Sequence, residues 1–403
     1  AYCDDESIPY SLKERSIKIE YAAKRLGEHK FVFVIDNIET FVRVNVVLPF
    51  QDLLKKRADF IVRKQQFHKA GSCVDGAFLI YDNEDQCQYF DNSNPDHNAS
   101  RERLGMGIFL AKYLQNNQDE KTMHSLDQYE AFVKREIFDE DTGVVYDTVG
   151  KDKSNVRLYN APWMATFWME MFQLKKDDYY LKLMYRTIMH YYQIGGNNFY
   201  PNGLPMKESV RLLQSNNLTK EASLLLNCYR DHVDMIIENG IDYPKHEVNF
   251  EQTIVTPVLL YLTQMYQLIN DERYRKEARN HIGILERFDG MQPDYHLNEI
   301  PIRHWDDYWF GKRRLFGDTF PHYWSCLSAA AYKYYSDITG DKQYLTKAFR
   351  TMRGCLSLFH SDGSASCAYV YPYRINGQRG EFYDEWANDQ DFALYFALKL
   401  GIQ

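Results

Sequence analysis

The sequence predicts a mainly α fold, an (α/α)6 toroid of six helical hairpins, entered through a short N-terminal β-strand segment. Three observations predict it. Near Pro49 the hydrophobic period changes from two residues to that of a helix. Beyond that point, helices apolar on nearly every face alternate with helices apolar on one face only. The links between them also alternate, short after an apolar helix and long before the next one.

Residues 1–48 carry β-branched and aromatic runs at 15–21, 30–35 and 40–47, parted by Gly27 and by Asp36-Asn37, so they read as strands. Three strands with open edges rarely stand alone. They pack on the adjoining helical unit or belong to a larger sheet that begins upstream, and the second is the favoured expectation. Residues 49–403 form the second unit, with helices expected at 50–68, 101–116, 122–137, 159–174, 177–194, 206–216, 219–239, 249–269, 271–287, 320–338, 341–360 and 389–400. A junction repeats along it: Asp177, Asp271 and Asp341 each stand at an expected N-cap with Tyr180, Tyr274 and Tyr344 three residues on. Such repetition means one helical hairpin used several times. The long links, 69–100, 138–158, 240–248, 288–319 and 361–388, all fall at one end and should ring a funnel above the inner helices.

Composition narrows the partners. The chain has 403 residues and a formal net charge of −8, which disfavours nucleic acid. No apolar run approaches the roughly 18 residues of a transmembrane helix. With 32 Tyr, 24 Phe and 6 Trp, aromatic residues reach 15%, enough to line an extended cleft with surfaces that are apolar in body and polar at the tip. Walker A, G-x-G-x-x-G, HExxH and EF-hand patterns are absent, so neither cofactor nor metal is expected. The fragment from Asp139 to Gly143 reads as a turn, not a calcium loop. The seven cysteines are scattered, and Cys73 and Cys87 flank a loop short enough to bridge. The chain opens on Ala1, which favours a periplasmic or extracellular setting if a signal peptide has been removed, and a homo-oligomer stays open.

The chemistry concentrates in the long links. His304, Trp305, Asp306, Asp307, Tyr308, Trp309 and Lys312, followed by Asp318 and His322, mix aromatic faces that stack on pyranose rings with groups that bind hydroxyls. Glu385 stands beside Tyr383 and Trp386 before the last helix. Hydrolysis of a glycoside needs two carboxyls across the bond. The leading pair is therefore Asp306 or Asp307 with Glu385, and Glu251 is held in reserve. Asp91, Arg101 and Arg103 sit at the first rim and His246 at another; two arginines there can fork a substrate carboxylate.

These hairpins, the Asp-x-x-Tyr junctions and the aromatic-acidic links resemble the six-hairpin glycosidase superfamily, over about 50–403. The β-rich start is similar to the tail of the β-sandwich that precedes the toroid in several of its families. The resemblance implies a glycoside hydrolase acting on oligosaccharide or polysaccharide ends, with the glucuronidase-bearing family 154 nearest. The alternative is a polysaccharide lyase in which His304 or Tyr308 takes the proton beside a uronate carboxylate. A glycan-binding module without turnover is the third reading.

Overall fold

The computed structural model describes residues 1–94, 97–153, 156–244, 251–301, 312, 318–322, 324–371 and 374–403. Short strands β1 (Tyr2–Cys3) and β2 (Glu6–Ser7) lead to the hairpin β3 (Ser11–Lys13) and β4 (Ser16–Lys18), and then to the long hairpin β5 (Gly27–Ile35) and β6 (Ile38–Val46). The strand expected over 15–21 is shortened to Ser16–Lys18: Glu14, in left-handed backbone, turns the chain just before it, and the three-residue partner β3 ends the pairing at Lys18. The main sheet has the order β2-β1-β5-β6.

Among the described residues, twelve α-helices follow: α1 (Phe50–Phe60), α2 (Leu104–Leu114), α3 (Glu120–Phe132), α4 (Asn160–Lys175), α5 (Asp178–Gln193), α6 (Met206–Ser215), α7 (Thr219–Asn239), α8 (Gln252–Ile269), α9 (Glu272–Leu285), α10 (Ser325–Thr339), α11 (Lys342–Leu356) and α12 (Asp391–Leu400). The even-numbered ones form the inner ring. α2, α4, α8, α10 and α12 are buried over most of their length, whereas α6 buries one side only. Inner helix and outer partner meet closely. A Cβ on Gly107 of α2 would lie 2.4 Å from the Tyr129 ring of α3, so only glycine fits there.

The repeated junction has a physical meaning. Asp177, Asp271 and Asp341 each accept a backbone N–H two residues on and so cap α5, α9 and α11. The tyrosine that follows reaches back to a carboxylate at the preceding outer helix. Tyr180 donates to Glu130 at 2.8 Å, Tyr274 to Asp234 at 2.7 Å and Tyr344 to Glu286 at 3.4 Å. Asp caps the helix, and Tyr laces the outer wheel.

Between the helices lie strands that the sequence pattern does not announce: β7 (Ile80–Asp82), β8 (Cys87–Tyr89), β9 (Asp318–His322), β10 (Ala368–Tyr371), β11 (Arg374–Ile375), β12 (Gln378–Arg379) and β13 (Phe382–Asp384). β9, β10 and β13 make one antiparallel sheet in the order β13-β10-β9. The helix expected from 320 thus starts only at Ser325. Pro321 is tolerated in β9 because β9 is an edge strand. Asp139 caps a turn through Asp141, Thr142 and the Thr142 hydroxyl, as expected for a turn. Cys73 and Cys87 are free thiols, so the bridge considered for them is not formed. No helix among the described residues is long and apolar enough to cross a membrane.

Two buried arginines hold the ends of the chain. Arg57 of α1, with no exposed surface, sets Nε on Asp391 Oδ1 at 2.7 Å and Nη2 on Oδ2 at 2.8 Å. Its Nη1 donates to Asn388 Oδ1 at 2.9 Å and to the Gly363 carbonyl at 3.2 Å. That fork joins the first helix to the last. Arg43 of β6 binds Asp294 at 3.5 Å and Glu381 at 3.4 Å, and its N–H donates to the Pro293 carbonyl, so the β segment docks on the toroid's long loops.

Arg57→Met should leave the Asp391 carboxylate buried without its partner and cost about 3–5 kcal/mol. In urea unfolding the midpoint falls with little change in slope. The double variant Arg57→Met/Asp391→Leu should recover part of the loss, because an apolar pair carries no desolvated charge.

Candidate active site

The inner helices present their N-termini at one end, where the long links collect, and together they form a crown. At α2, Arg101 sits in left-handed backbone, φ 54°, and buried Arg103 places Nη1 2.9 Å from Asp389 Oδ2, just before α12. Asn160 at the start of α4 donates to Asp147 at 2.9 Å, and Asn202, ahead of α6, donates to the Tyr159 carbonyl at 2.8 Å. Gln252 of α8 accepts from Thr256 and from Ser328 of α10, both at 3.2 Å. The rings of Tyr159 and Trp324, which precede α4 and α10, lie 6.0 Å apart edge to face. Those helices stand opposite each other in the ring, so the aromatic pair spans it.

The structure disperses the sequence-predicted residues over this crown and its rim. Asp91 accepts from the Ser93 N–H and hydroxyl, and these bonds hold its carboxyl below the usual range. Glu251 caps the approach to α8 and is nearly buried, as is His322 on β9. Asp318 is placed only as the first residue of β9. Lys312 lies among Asp82 at 2.7 Å, Glu84 at 3.0 Å and Asp85 at 3.0 Å, with Asp82 foremost in pushing its ammonium well above the usual value. Trp386 forms an aromatic wall with Tyr89 at 4.9 Å and His97 at 5.3 Å. His246, His304, Trp305, Asp306, Asp307, Tyr308 and Trp309 lie outside the described residues.

Glu385 is held on three sides. Asn83 Nδ2 donates to it at 2.8 Å, the Ser366 hydroxyl at 3.2 Å, and His360 Nε2 lies 3.6 Å away. Burial raises its carboxyl, but the bonds from His360, Asn83 and Ser366 outweigh that, and the net shift is downward. An anion so stabilised is suited to being a base or a positioning charge and unsuited to donating a proton.

A further cluster was missed by sequence reasoning. Asp294 Oδ1 meets His296 Nδ1 at 2.7 Å, and His296 Nε2 meets the Tyr383 hydroxyl at 2.7 Å, which also touches the Tyr295 hydroxyl at 2.9 Å. Burial lowers the His296 imidazole despite the Asp294 bond, so it is neutral; burial foremost raises the Tyr383 phenol. Asp294 stays ionised because His296 and Arg43 outweigh its burial. Tyr383 O–H therefore donates to His296, whose Nδ1–H donates to Asp294. This is the orienter, base and hydroxyl order by which hydroxyl groups are activated. Tyr295 and Tyr383 line a cavity of about 360 Å³ between the β5–β6 hairpin and the end of α11, with Glu28, Asn45 and His360 on its other walls. The one local signal was the Asp-x-His spacing, in which Asp294 also accepts the His296 N–H at 3.0 Å.

Solved structures resemble the chain as a whole. A polysaccharide lyase matches 99% of the chain at 38% identity with a TM-score of 0.93. The present chain spans 60% of that protein's length. A family 76 glycoside hydrolase from a bovine Bacteroides thetaiotaomicron strain matches 93% of the chain and 84% of its own length, at 11% identity and a TM-score of 0.54. A cellobiose 2-epimerase from Bacillus thermoamylovorans matches 86% of the chain and 97% of its own length, at 10% identity and a TM-score of 0.53. The chain has the fold of the six-hairpin glycosidase superfamily. No family model and no curated protein matches the sequence. At 10–11% identity the hydrolase and the epimerase share with it the six-hairpin toroid alone.

The crown of this six-hairpin toroid yields a test of Glu385. A folded-state value below the ordinary 4.5 gives stability that is present above that value and lost as pH falls through the lower one. Glu385→Gln should therefore flatten the acid limb of a melting-temperature profile from the ordinary glutamate range downward. Parallel profiles for wild type and variant would show that the three bonds to Glu385 do not stabilise its ionised form.

Proposed function

We propose that the chain is a polysaccharide lyase that cleaves uronate-containing glycans by β-elimination, with Tyr383 as the group that moves the proton. The reading rests on the Asp294–His296–Tyr383 chain, which opens on a cavity. Its support is twofold. Crown carboxylates Asp389 and Asp391 are tied to Arg103 and Arg57, and Glu385 is held ionised, so none of the three is set up as the protonated acid that glycoside hydrolysis needs. A polysaccharide lyase also resembles the chain at 38% identity, well beyond a shared fold.

Elimination removes the proton from the carbon beside the uronate carboxylate. Its electron pair forms a double bond to the neighbouring carbon, and the glycosidic oxygen leaves from that carbon with a proton. Tyr383 passes its phenol proton to His296 Nε2 as its oxygen takes the proton from the carbon, then gives that proton to the leaving oxygen and regains its own from His296, so both groups end as they began. A cation beside the carboxylate lowers the barrier to removing the first proton, and Arg101 at the crown is the candidate. His304 and Tyr308, in the link before β9, are the alternative proton carriers.

Purified chain incubated with uronate polysaccharides of several linkages should generate an unsaturated end that absorbs in the ultraviolet. Tyr383→Phe should lose about 10²–10⁴ in turnover, and His296→Gln a comparable amount. If Tyr383→Phe keeps its rate while His304→Ala or Tyr308→Phe loses it, the chemistry belongs to the link before β9. New reducing ends without ultraviolet absorbance would establish hydrolysis, with Asp306 or Asp307 and Glu385 as the pair to mutate.

A further inference from the structure

Three residues of the N-terminal sheet converge outside the proposed proton-moving chain. Cys3 is on β1, Asp4 begins the turn after it, and His29 is on β5. Asp4 Oδ2 lies 2.8 Å from His29 Nδ1, and Cys3 Sγ lies 3.9 Å from the same nitrogen. All three donor atoms fall within 4.8 Å of one another. Cys3 is 2% exposed and His29 1%, so two of the three groups are almost wholly shielded from water.

The orientation of the imidazole is the decisive feature. His29 Nε2 faces the Arg25 carbonyl at 3.1 Å. A carbonyl only accepts, so Nε2 carries a proton there. Nδ1 is thereby turned toward the Asp4 carboxylate at 2.8 Å, where a proton on Nδ1 or a metal ion can answer the negative charge, the two competing for the same lone pair. A backbone carbonyl holding one nitrogen so that the other faces a cation is how proteins aim metal-binding histidines. Asp4 is fixed too: its Oδ1 accepts the Lys30 N–H at 2.8 Å, and Arg25 Nη2 meets its Oδ2 at 2.6 Å.

We propose that Cys3, Asp4 and His29 bind one zinc-like divalent cation. Sulfur with imidazole and carboxylate is a donor set that favours zinc over magnesium or calcium. Tetrahedral zinc with ordinary bond lengths places such donors roughly 3.3–3.6 Å apart. The observed 2.8 Å must open by about half an ångström and the observed 3.9 Å close by about 0.3 Å to reach that spacing. The fourth position falls to water. Binding deprotonates the Cys3 thiol and releases that proton to solvent. The ion would tie β1 to β5 and so stiffen the sheet whose far strand, β6, docks on the toroid through Arg43.

The whole chain, stripped with a chelator and titrated with Co²⁺, should take up one equivalent and develop a thiolate-to-cobalt charge-transfer band. Cys3→Ser should abolish the band, Asp4→Asn should weaken binding at least tenfold, and the Cys73→Ser/Cys87→Ser double variant should keep it. A band that survives Cys3→Ser, or that disappears with the two exposed thiols, overturns the proposal. Zinc should also raise the melting temperature of the stripped wild-type chain, and no rise at tenfold excess zinc overturns it without recourse to any variant.

Discussion

Closing a ring of helices requires the first and last of them to recognise each other across nearly the whole chain, and in this protein that task falls on Arg57. Its guanidinium is fully buried and reaches Asp391, Asn388 and the Gly363 carbonyl at once. Loop closure over more than 300 residues is entropically unfavourable, though only logarithmically so. A planar fork with several fixed donors suits the task better than an apolar contact, because it accepts one orientation of α1 against α12. Ala387 and Asn388 are both in left-handed backbone just before α12. The turn that brings Asn388 and Asp391 to Arg57 thus holds strain that the network must outweigh.

From this closure the crown follows. Once α12 is fixed, Asp389 meets Arg103 and sets the start of α2, and Trp386 meets Tyr89 and His97 at the rim. The outer wheel uses a different and simpler device, the Asp cap followed by a Tyr that reaches the previous helix. It is local in sequence and can repeat. The inner contacts are individual, and each is made once.

That difference explains what was legible in the sequence. Caps and helical periods are local, so Asp177, Asp271 and Asp341 announced their helices, and observed bounds differ from expected ones by a few residues at most ends. The sheet of β9, β10 and β13 was not legible, since its strands are three to five residues long and sit in links without a sustained period. Pro321 and the aromatic run around it read as a helix start because nothing local reveals Ala368 as the partner of His322. At the site, Tyr383 and Glu385 stood out by type. Their partners did not: His296 is 87 residues from Tyr383 and Asn83 is 302 from Glu385, and neither pairing has a spacing that can be searched for.

The Asp294–His296–Tyr383 chain depends on both parts of the molecule. Arg43 comes from the β segment, yet it lies 3.5 Å from Asp294, and its positive charge helps keep that carboxylate ionised. An ionised Asp294 holds the Nδ1 proton of His296, which leaves Nε2 to accept from Tyr383. Removing the β segment would take away Arg43 and the Glu28 and Asn45 walls of the cavity together. The N-terminal strands are therefore a wall of the proposed site and a source of its electrostatics, and the toroid alone would keep Asp294, His296 and Tyr383 but lose the Arg43 charge that helps hold Asp294 ionised.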